Sequence, residues 1–515
     1  MEIKRLYNRN EENAANGFSI LKYSSPESDM ISTQPMHWVL CVDRSGSMET
    51  IGSKDQRSRM DHVKATVVRI VEYLKQLCEG TTRVYYVDVV WFNGEVTTTS
   101  ITVDKLTDLS EFISEVNSVG AAGLTNMSAA IKKASSMIME AAPIKSAMVL
   151  LSDGEITAGV SDPQYLIQWV NECADALKTD FAPVFVGYGT EQSSSLLMTL
   201  SRVPNGEYHC VESVEGASIV YGEIVHGVLY ESIKNLNIEV QGGQIYNFEK
   251  NSWESSLHVG KVAAGASRVW HLRESGEEPL SVNATYDTLT VGEGSDKDSW
   301  IQESVSCATV EEPAVGASDK ECYRYFLRQE VLELLAEAKE YTENMHERMK
   351  RNTPPPAPRV RRQDAGVLPA YSDIEYGAQH QDLFDPPPVL SPIRIAGREA
   401  VKEEKTPGQK LREKLMVKLG QIKEYIAAEG DDTGMLGALC DDLYICSLAL
   451  KSSRGLTYII ARQTSQGLQR AYNATGMDDL EEDEDDGAHE ISNSMVSPYA
   501  SQRLGAVIRE VSQAP

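Results

Sequence analysis

Two short runs, His37–Val42 (HWVLCV) and Ala147–Leu151 (AMVLL), are apolar almost throughout, and each ends on a loop that opens with aspartate or Ser-Asp. Runs of this length are too short for a helix and read as strands buried on both faces. Such strands need helices above and below the sheet, and the neighbouring sequence supplies them. Asp61–Leu77 sets Val63, Val67, Ile70, Val71 and Leu74 on one helical face. Met127–Glu140 reads as another helix, and Pro163–Leu177 opens with proline directly after Asp162, a favourable start. Val84–Phe92 is a β-branched and aromatic strand, and Thr97–Val103 a polar edge strand. Strand Phe181–Gly187, helix Ser193–Arg202 and strand Glu207–Val211 complete the alternation. Repeated strand–helix units with apolar strands predict a doubly wound, mostly parallel, Rossmann-like α/β domain over residues 36–232.

In open sheets of this kind, the loops at the carboxyl ends of the strands form the ligand crevice. The first loop, in VLCVDRSGSM, carries Asp43, Ser45 and Ser47. A second, GAAGLTNM, places Thr125 just before a helix, and a third, LLSDGEIT, places Asp153 directly behind a strand. Three loops thus converge three hydroxyls and two carboxylates on one point. An all-oxygen set suits a hard divalent cation rather than zinc. With only two charged ligands it favours Mg²⁺, with Mn²⁺ and Ca²⁺ as alternatives, and leaves residual positive charge that a partner's carboxylate can satisfy. Asp-x-Ser-x-Ser alone is weak evidence, because aspartate and serine are ordinary turn residues. The three loops in order, each behind its strand, carry the inference.

DRSGS, then Gly-x-Thr-Asn, then SDG after an apolar strand resembles the von Willebrand factor type A (vWA) domain. The resemblance implies a metal-ion-dependent adhesion site at Asp43, Ser45, Ser47, Thr125 and Asp153. It implies that the serines and the threonine touch the ion directly, while the aspartates act largely through water. All five positions fit the family's pattern.

Beyond the α/β domain, residues 233–312 change texture. Asn235–Val240, Gln244–Phe248, Ser256–Val262, Ser267–Arg273 and Ser281–Thr288 alternate and are spaced by Gly, Asn and Ser, which predicts a small antiparallel β-domain. Residues 313–477 read as an α-helical domain, with helices at Asp319–Lys350, Gln409–Ala428 and Thr433–Leu450. A Pro-rich insertion at 351–408 interrupts it and reads as an extended spacer. The β segment, with GGQIYNFEKNSWESSLHVG, is similar to the β-domain that follows vWA in many eukaryotic proteins. RYFLRQEVLELLAEAKEY, ARQTSQGLQRAY and SPYASQRLGAVIRE are similar to the C-terminal helical domain named Vwaint (intein-like), on their Arg–Gln pairs, Gln469–Arg470 and the Tyr499 region. Residues 1–35 are left as an N-terminal extension, and 478–515 as an acidic run and tail.

The net charge of −27 opposes nucleic-acid binding, although Asp478–Asp486 alone contributes eight carboxylates. No apolar run reaches the roughly 20 residues of a membrane span, and the polar N-terminus lacks the apolar core of a secretory signal. The eight cysteines are scattered, with no Cys-x-x-Cys, as in a reduced cytoplasmic protein. Hydrolase and nucleotide-binding signatures are lacking: there is no Gly-x-Ser-x-Gly, no Gly-x-x-x-x-Gly-Lys and no Cys/His zinc spacing. Self-processing, which the intein-like name invites, has no nucleophile block. The expectation is a non-enzymatic interaction or scaffold protein that binds an acidic residue of a protein partner through the metal. The alternatives are a substrate adaptor for a ubiquitin ligase and a glue component of a large assembly such as a virus particle. The oligomeric state is left open.

Overall fold

The structure is a computed structural model; the residues it describes are 1–5, 17–25, 31–32, 34–51, 56–153, 156–189, 194–211, 217–276, 278–290, 299–308, 317–352, 405–452, 454–470, 480, 489, 491 and 499–512. Most of the Pro-rich insertion and of the acidic run lies outside them. In chain order, strands β1 (Glu2–Arg5) and β2 (Phe18–Ser24) precede the α/β unit. That unit runs β3 (Met36–Asp43), α1 (Arg59–Cys78), β4 (Tyr85–Phe92), β5 (Val96–Val103), α2 (Ser110–Ser118), α3 (Met127–Ala141), β6 (Lys145–Ser152), α4 (Pro163–Leu177), β7 (Phe181–Tyr188), α5 (Ser194–Leu200), β8 (Glu207–Val211) and α6 (Ala217–Leu229). Its sheet has the order β5-β4-β3-β6-β7-β8, parallel throughout except for β5, which is the antiparallel edge.

Side-chain alternation along the central strand builds both layers of the core. Trp38, Leu40 and Val42 of β3 pack with Val63, Val67, Ile70 and Leu74 of α1 on one face. Val39 and Cys41 pack with Ile131 of α3, Leu150 and Phe185 on the other. The doubly wound fold expected from the sequence is the fold observed.

Seven strands follow: β9 (Glu231–Gln241), β10 (Gly243–Asn247), β11 (Ser252–Glu254), β12 (Ser256–Ala263), β13 (Ser267–Glu274), β14 (Ser281–Thr290) and β15 (Ser299–Ala308). Together with β1 and β2 they form two antiparallel sheets, β1-β2-β13-β10-β11 and β12-β9-β14-β15. Leu21 of β2, Ile238 of β9, Ile245 of β10 and Val282 of β14 share the core between them. Residues 1–35 are therefore more than an extension. They supply two strands, and β2 pairs with β13 along its whole length. The α/β unit lies in the chain between two parts of one β-sandwich.

Helices α7 (Ala317–Asn352), α8 (Pro407–Glu429), α9 (Met435–Ala449) and α10 (Gly455–Gly467) share a third core that includes Leu335, Leu415, Leu443 and Ile459. The residues that carry the intein-like resemblance gather at the seam between these helices and the sandwich. Arg328 bonds His271 Nε2 at 2.9 Å, Tyr499 and the carbonyl of Gln466, while Gln329 Oε1 meets His271 Nδ1 at 2.6 Å. The Gln469 side chain bonds both the amide and the carbonyl of Val269 on β13. The last helix, α11 (Gln502–Ser512), returns to the α/β unit and packs Val507 and Ile508 into the core beneath α6. All eight cysteines but Cys307 are buried, and burial pushes the thiols of Cys41 and Cys440 up to about 12. Among the described residues no helix is long and apolar enough to cross a membrane.

Candidate metal centre

From β3 the chain moves outward to β4 on one side and comes back to β6 on the other, so a crevice opens at the carboxyl ends of β3 and β6. Asp43 is the last residue of β3, and Asp153 directly follows β6. After Asp43 the chain makes a tight turn, with Met48 N donating to Ser45 O and Thr50 N to Ser47 O, both at 3.1 Å. That turn sets Ser45 Oγ 3.0 Å from Ser47 Oγ, and Ser47 donates to Asp153 Oδ1 at 2.7 Å. Asp43 turns inward: Oδ1 accepts from Ser45 N at 2.8 Å and Oδ2 from Ser152 Oγ at 2.7 Å.

The Thr125 loop is tied to the same place through its backbone. Gly46 N donates to Gly123 O at 3.2 Å and Ala122 N to Arg44 O at 2.8 Å. On the other side Thr125 N donates to Thr157 Oγ1 at 2.8 Å, and Thr157 N donates to Thr125 O at 3.1 Å. Thr125 thus bridges the first loop and the third and is buried at 4% exposure. All five predicted residues lie in this crevice: Asp43, Ser45, Ser47 and Asp153 in one hydrogen-bonded group, and Thr125 on a loop clamped to both of the others.

Burial raises the Asp43 carboxyl to about 6, against hydrogen bonds from Ser152 and Ser45 that lower it, and the nearby charge of Asp153 adds to the rise. A cation brought beside Asp43 would favour its charged form.

Three further residues shape the crevice and were not found from the sequence. Ser152 and Thr157 flank the SDG loop and orient Asp43 and Thr125. Arg59 is the third: its Nη1 donates to Asp153 Oδ2 at 2.7 Å, with the Asp153 side chain fully buried. The signal for Arg59 was its position. It is the first residue of α1, behind a Ser58–Asp61 capping box, and a cation at a helix N-terminus opposes the helix dipole unless an acid faces it.

The switch-point crevice and its three loops are the architecture of a von Willebrand factor type A domain. Residues 39–221 match the family model for that domain, and this part of the chain is a vWA domain. Domains of this family commonly hold a divalent cation at such a site and bind protein partners. A comparison with curated proteins found no match. Among solved structures, the chain is similar to a von Willebrand factor type A protein from Catenulispora acidiphila, at 12% identity over 67% of this chain and 81% of that one, with a TM-score of 0.43. It is similar to the ArnB paralog VWA2 from Sulfolobus acidocaldarius, at 16% identity over 65% and 87%, with a TM-score of 0.36. A third is proximal thread matrix protein 1 from the mussel byssus, in a form described as having a zinc-occupied MIDAS motif, at 14% identity over 40% and 47%, with a TM-score of 0.30.

Proposed function

We propose that Asp43, Ser45, Ser47, Thr125 and Asp153 hold a Mg²⁺ ion through which the protein captures an acidic residue of a protein partner, as a non-enzymatic interaction protein of the cytoplasm. The observation that carries this reading is the spacing of the oxygens. Neighbouring ligands of an octahedral Mg²⁺, each roughly 2.0–2.1 Å from the ion, stand about 2.9 Å apart. Ser45 Oγ and Ser47 Oγ, the two serine hydroxyls that would touch the ion, are 3.0 Å apart. Around Ca²⁺, with ligands at roughly 2.3–2.6 Å, the same edge would be about 3.3–3.7 Å. Mn²⁺ remains the closer substitute.

Ser45, Ser47 and Thr125 offer the ion neutral hydroxyls, and Asp43 and Asp153 balance its charge from behind. The bound ion supplies a positive charge that a partner's carboxylate can meet. Around the crevice the same loops carry apolar side chains out to solvent: Ile51 at 60% exposure, Leu124 at 55% and Val160 at 40%. An apolar rim around a charge-seeking centre suits a protein surface better than a small polar ligand.

The test is capture of partners from an extract in Mg²⁺ and their release by EDTA, repeated with Asp43→Ala and Thr125→Ala. Both variants should keep their circular dichroism spectrum and lose the EDTA-sensitive partners. Undiminished capture by folded variants would overturn the metal-bridged reading.

A further inference from the structure

We propose that Arg59 is a built-in competitor for the cation at Asp153, so that the site holds metal weakly until a partner's carboxylate adds its own charge; this inference rests on reading the five oxygens as a metal site. The guanidinium already occupies one side of the carboxylate that would face the ion, at 2.7 Å from Oδ2, and is itself only 14% exposed.

Its position is built rather than incidental. Arg59 N donates to Thr50 O at 2.9 Å, the bridge between Ile51 and Ser58 closes the loop before it, and the Ser58–Asp61 capping box fixes the turn after it. On the far side Gly189, at the end of β7, makes room. A β-carbon there would lie 2.7 Å from Arg59 Nη2, and at φ +75° the position suits glycine in any case.

Charge arithmetic then decides the behaviour. Asp43 and Asp153 bring two negative charges, and Arg59 returns one positive. A divalent ion added beside the guanidinium leaves a net positive charge in a largely buried site, where like charges repel far more than in water. Either the guanidinium withdraws or the ion binds less tightly. In both cases metal affinity falls below that of the unopposed oxygen set. A carboxylate arriving from a partner restores neutrality, so metal and partner bind cooperatively.

The experiment measures Mg²⁺ alone, without a partner, by calorimetric titration and by the shift in melting temperature, in wild type, Arg59→Gln and Arg59→Lys. Arg59→Gln should bind Mg²⁺ at least about tenfold more tightly, because one nearby opposing charge is gone. Arg59→Lys, which keeps the charge, should stay close to wild type. Without metal, Arg59→Gln should melt below wild type, since Asp153 has lost its counter-charge, and Mg²⁺ should raise its melting temperature by more than it raises that of wild type. An Arg59→Gln protein that folds only in Mg²⁺ would also support the proposal. Equal or weaker Mg²⁺ binding by Arg59→Gln overturns the competition while leaving the metal site standing. So does an Arg59→Gln protein that folds under neither condition, because the guanidinium is then a fixed structural part. No response to Mg²⁺ in any of the three proteins removes the metal site itself, and the competition with it.

Discussion

Arg470 donates to Glu207 Oε2 at 2.9 Å, joining the segment just after α10 to the last strand of the vWA sheet. Lys261, from β12 of the sandwich, approaches Oε1 of the same carboxylate at 3.2 Å. Burial alone would raise the Glu207 pKa, but Lys261 and Arg470 hold it well below the usual glutamate range. One side chain of the vWA unit therefore balances a cation from each of the other two units.

This arrangement ranks two substitutions. Glu207→Gln leaves both Lys261 and Arg470 without their counter-charge, whereas Arg470→Met leaves Glu207 still paired with Lys261. Breaking a buried pair from one side costs several kcal/mol, and the Glu207 side chain is 24% exposed, which places Glu207→Gln at roughly 2–3 kcal/mol. Arg470→Met should cost less. Urea denaturation of the two variants checks the order, and a larger loss for Arg470→Met would show that the pair does not work as described.

The oxygen spacing at the crevice makes a prediction about ion choice. With the Ser45 and Ser47 hydroxyls 3.0 Å apart, Mg²⁺ and Mn²⁺ fit as the site stands, while Ca²⁺ requires the Ser45–Ser47 turn to open. That turn is held by backbone hydrogen bonds at Met48 and Thr50. Calorimetric titration should give Mn²⁺ and Mg²⁺ at least about tenfold tighter binding than Ca²⁺. Ca²⁺ binding as tight as Mg²⁺ would contradict the geometry.

A third prediction concerns acid. His226, on α6, is 3% exposed, stacks on Tyr230 at 5.4 Å, and its Nε2 has no hydrogen-bond partner among the described residues. Burial, with Arg268 adding repulsion, pushes its pKa from 6.5 down to about 4. Because the folded value lies below the unfolded one, the unfolded chain takes up the proton first as pH falls. The stability held by the neutral ring is whole above pH 6.5 and is lost as pH drops from 6.5 towards 4. Linkage limits the loss to roughly 3 kcal/mol. His226→Phe keeps an aromatic ring over Tyr230 but cannot titrate. Between pH 7.5 and 4.5 its stability should therefore fall less than that of wild type, as measured by urea denaturation at each pH. Parallel slopes would sink the assignment.

How much of this was legible follows from how local each signal is. Asp43, Ser45, Ser47, Thr125 and Asp153 could be read because each sits one step beyond a strand or before a helix whose apolar pattern is self-evident. Arg59 could not be paired with Asp153, because 94 residues separate them and only the fold brings them together. The helix α10 hid for a different reason. Arg462, Gln463, Thr464 and Gln466 are polar yet buried, so the helix shows no apolar stripe. Strand β15 is mostly exposed and carries no alternation to read. Strand β2 finds its partner β13 some 240 residues later, on the far side of the whole vWA unit.

That last pairing can be tested. Leu21 of β2 is fully buried in the sandwich core beside Ile245 and Leu272. If residues 17–25 were a loose extension, Leu21→Ala would change little. As a strand in the core, the truncation should cost about 3 kcal/mol, the usual scale for a leucine removed from a packed interior. Thermal or urea unfolding distinguishes the two.

The docking of the C-terminal helix permits a test by sign. Gly222 lies within α6, where α11 crosses it. A β-carbon at Gly222 would come within 2.8 Å of both the Cα and the Cγ1 of Ile508, and a backbone atom cannot step aside as a side-chain tip can. On a free helix surface, Gly→Ala stabilises by about 1 kcal/mol, because alanine loses less backbone freedom. Here the same change should destabilise, since α11 must lift away and withdraw Val507 and Ile508 from the core they share with α6. Gly222→Ala should therefore melt below wild type and expose residues 499–512 to limited proteolysis. A variant that melts above wild type, with the C-terminus still protected, would mean that α11 does not sit against α6 in solution.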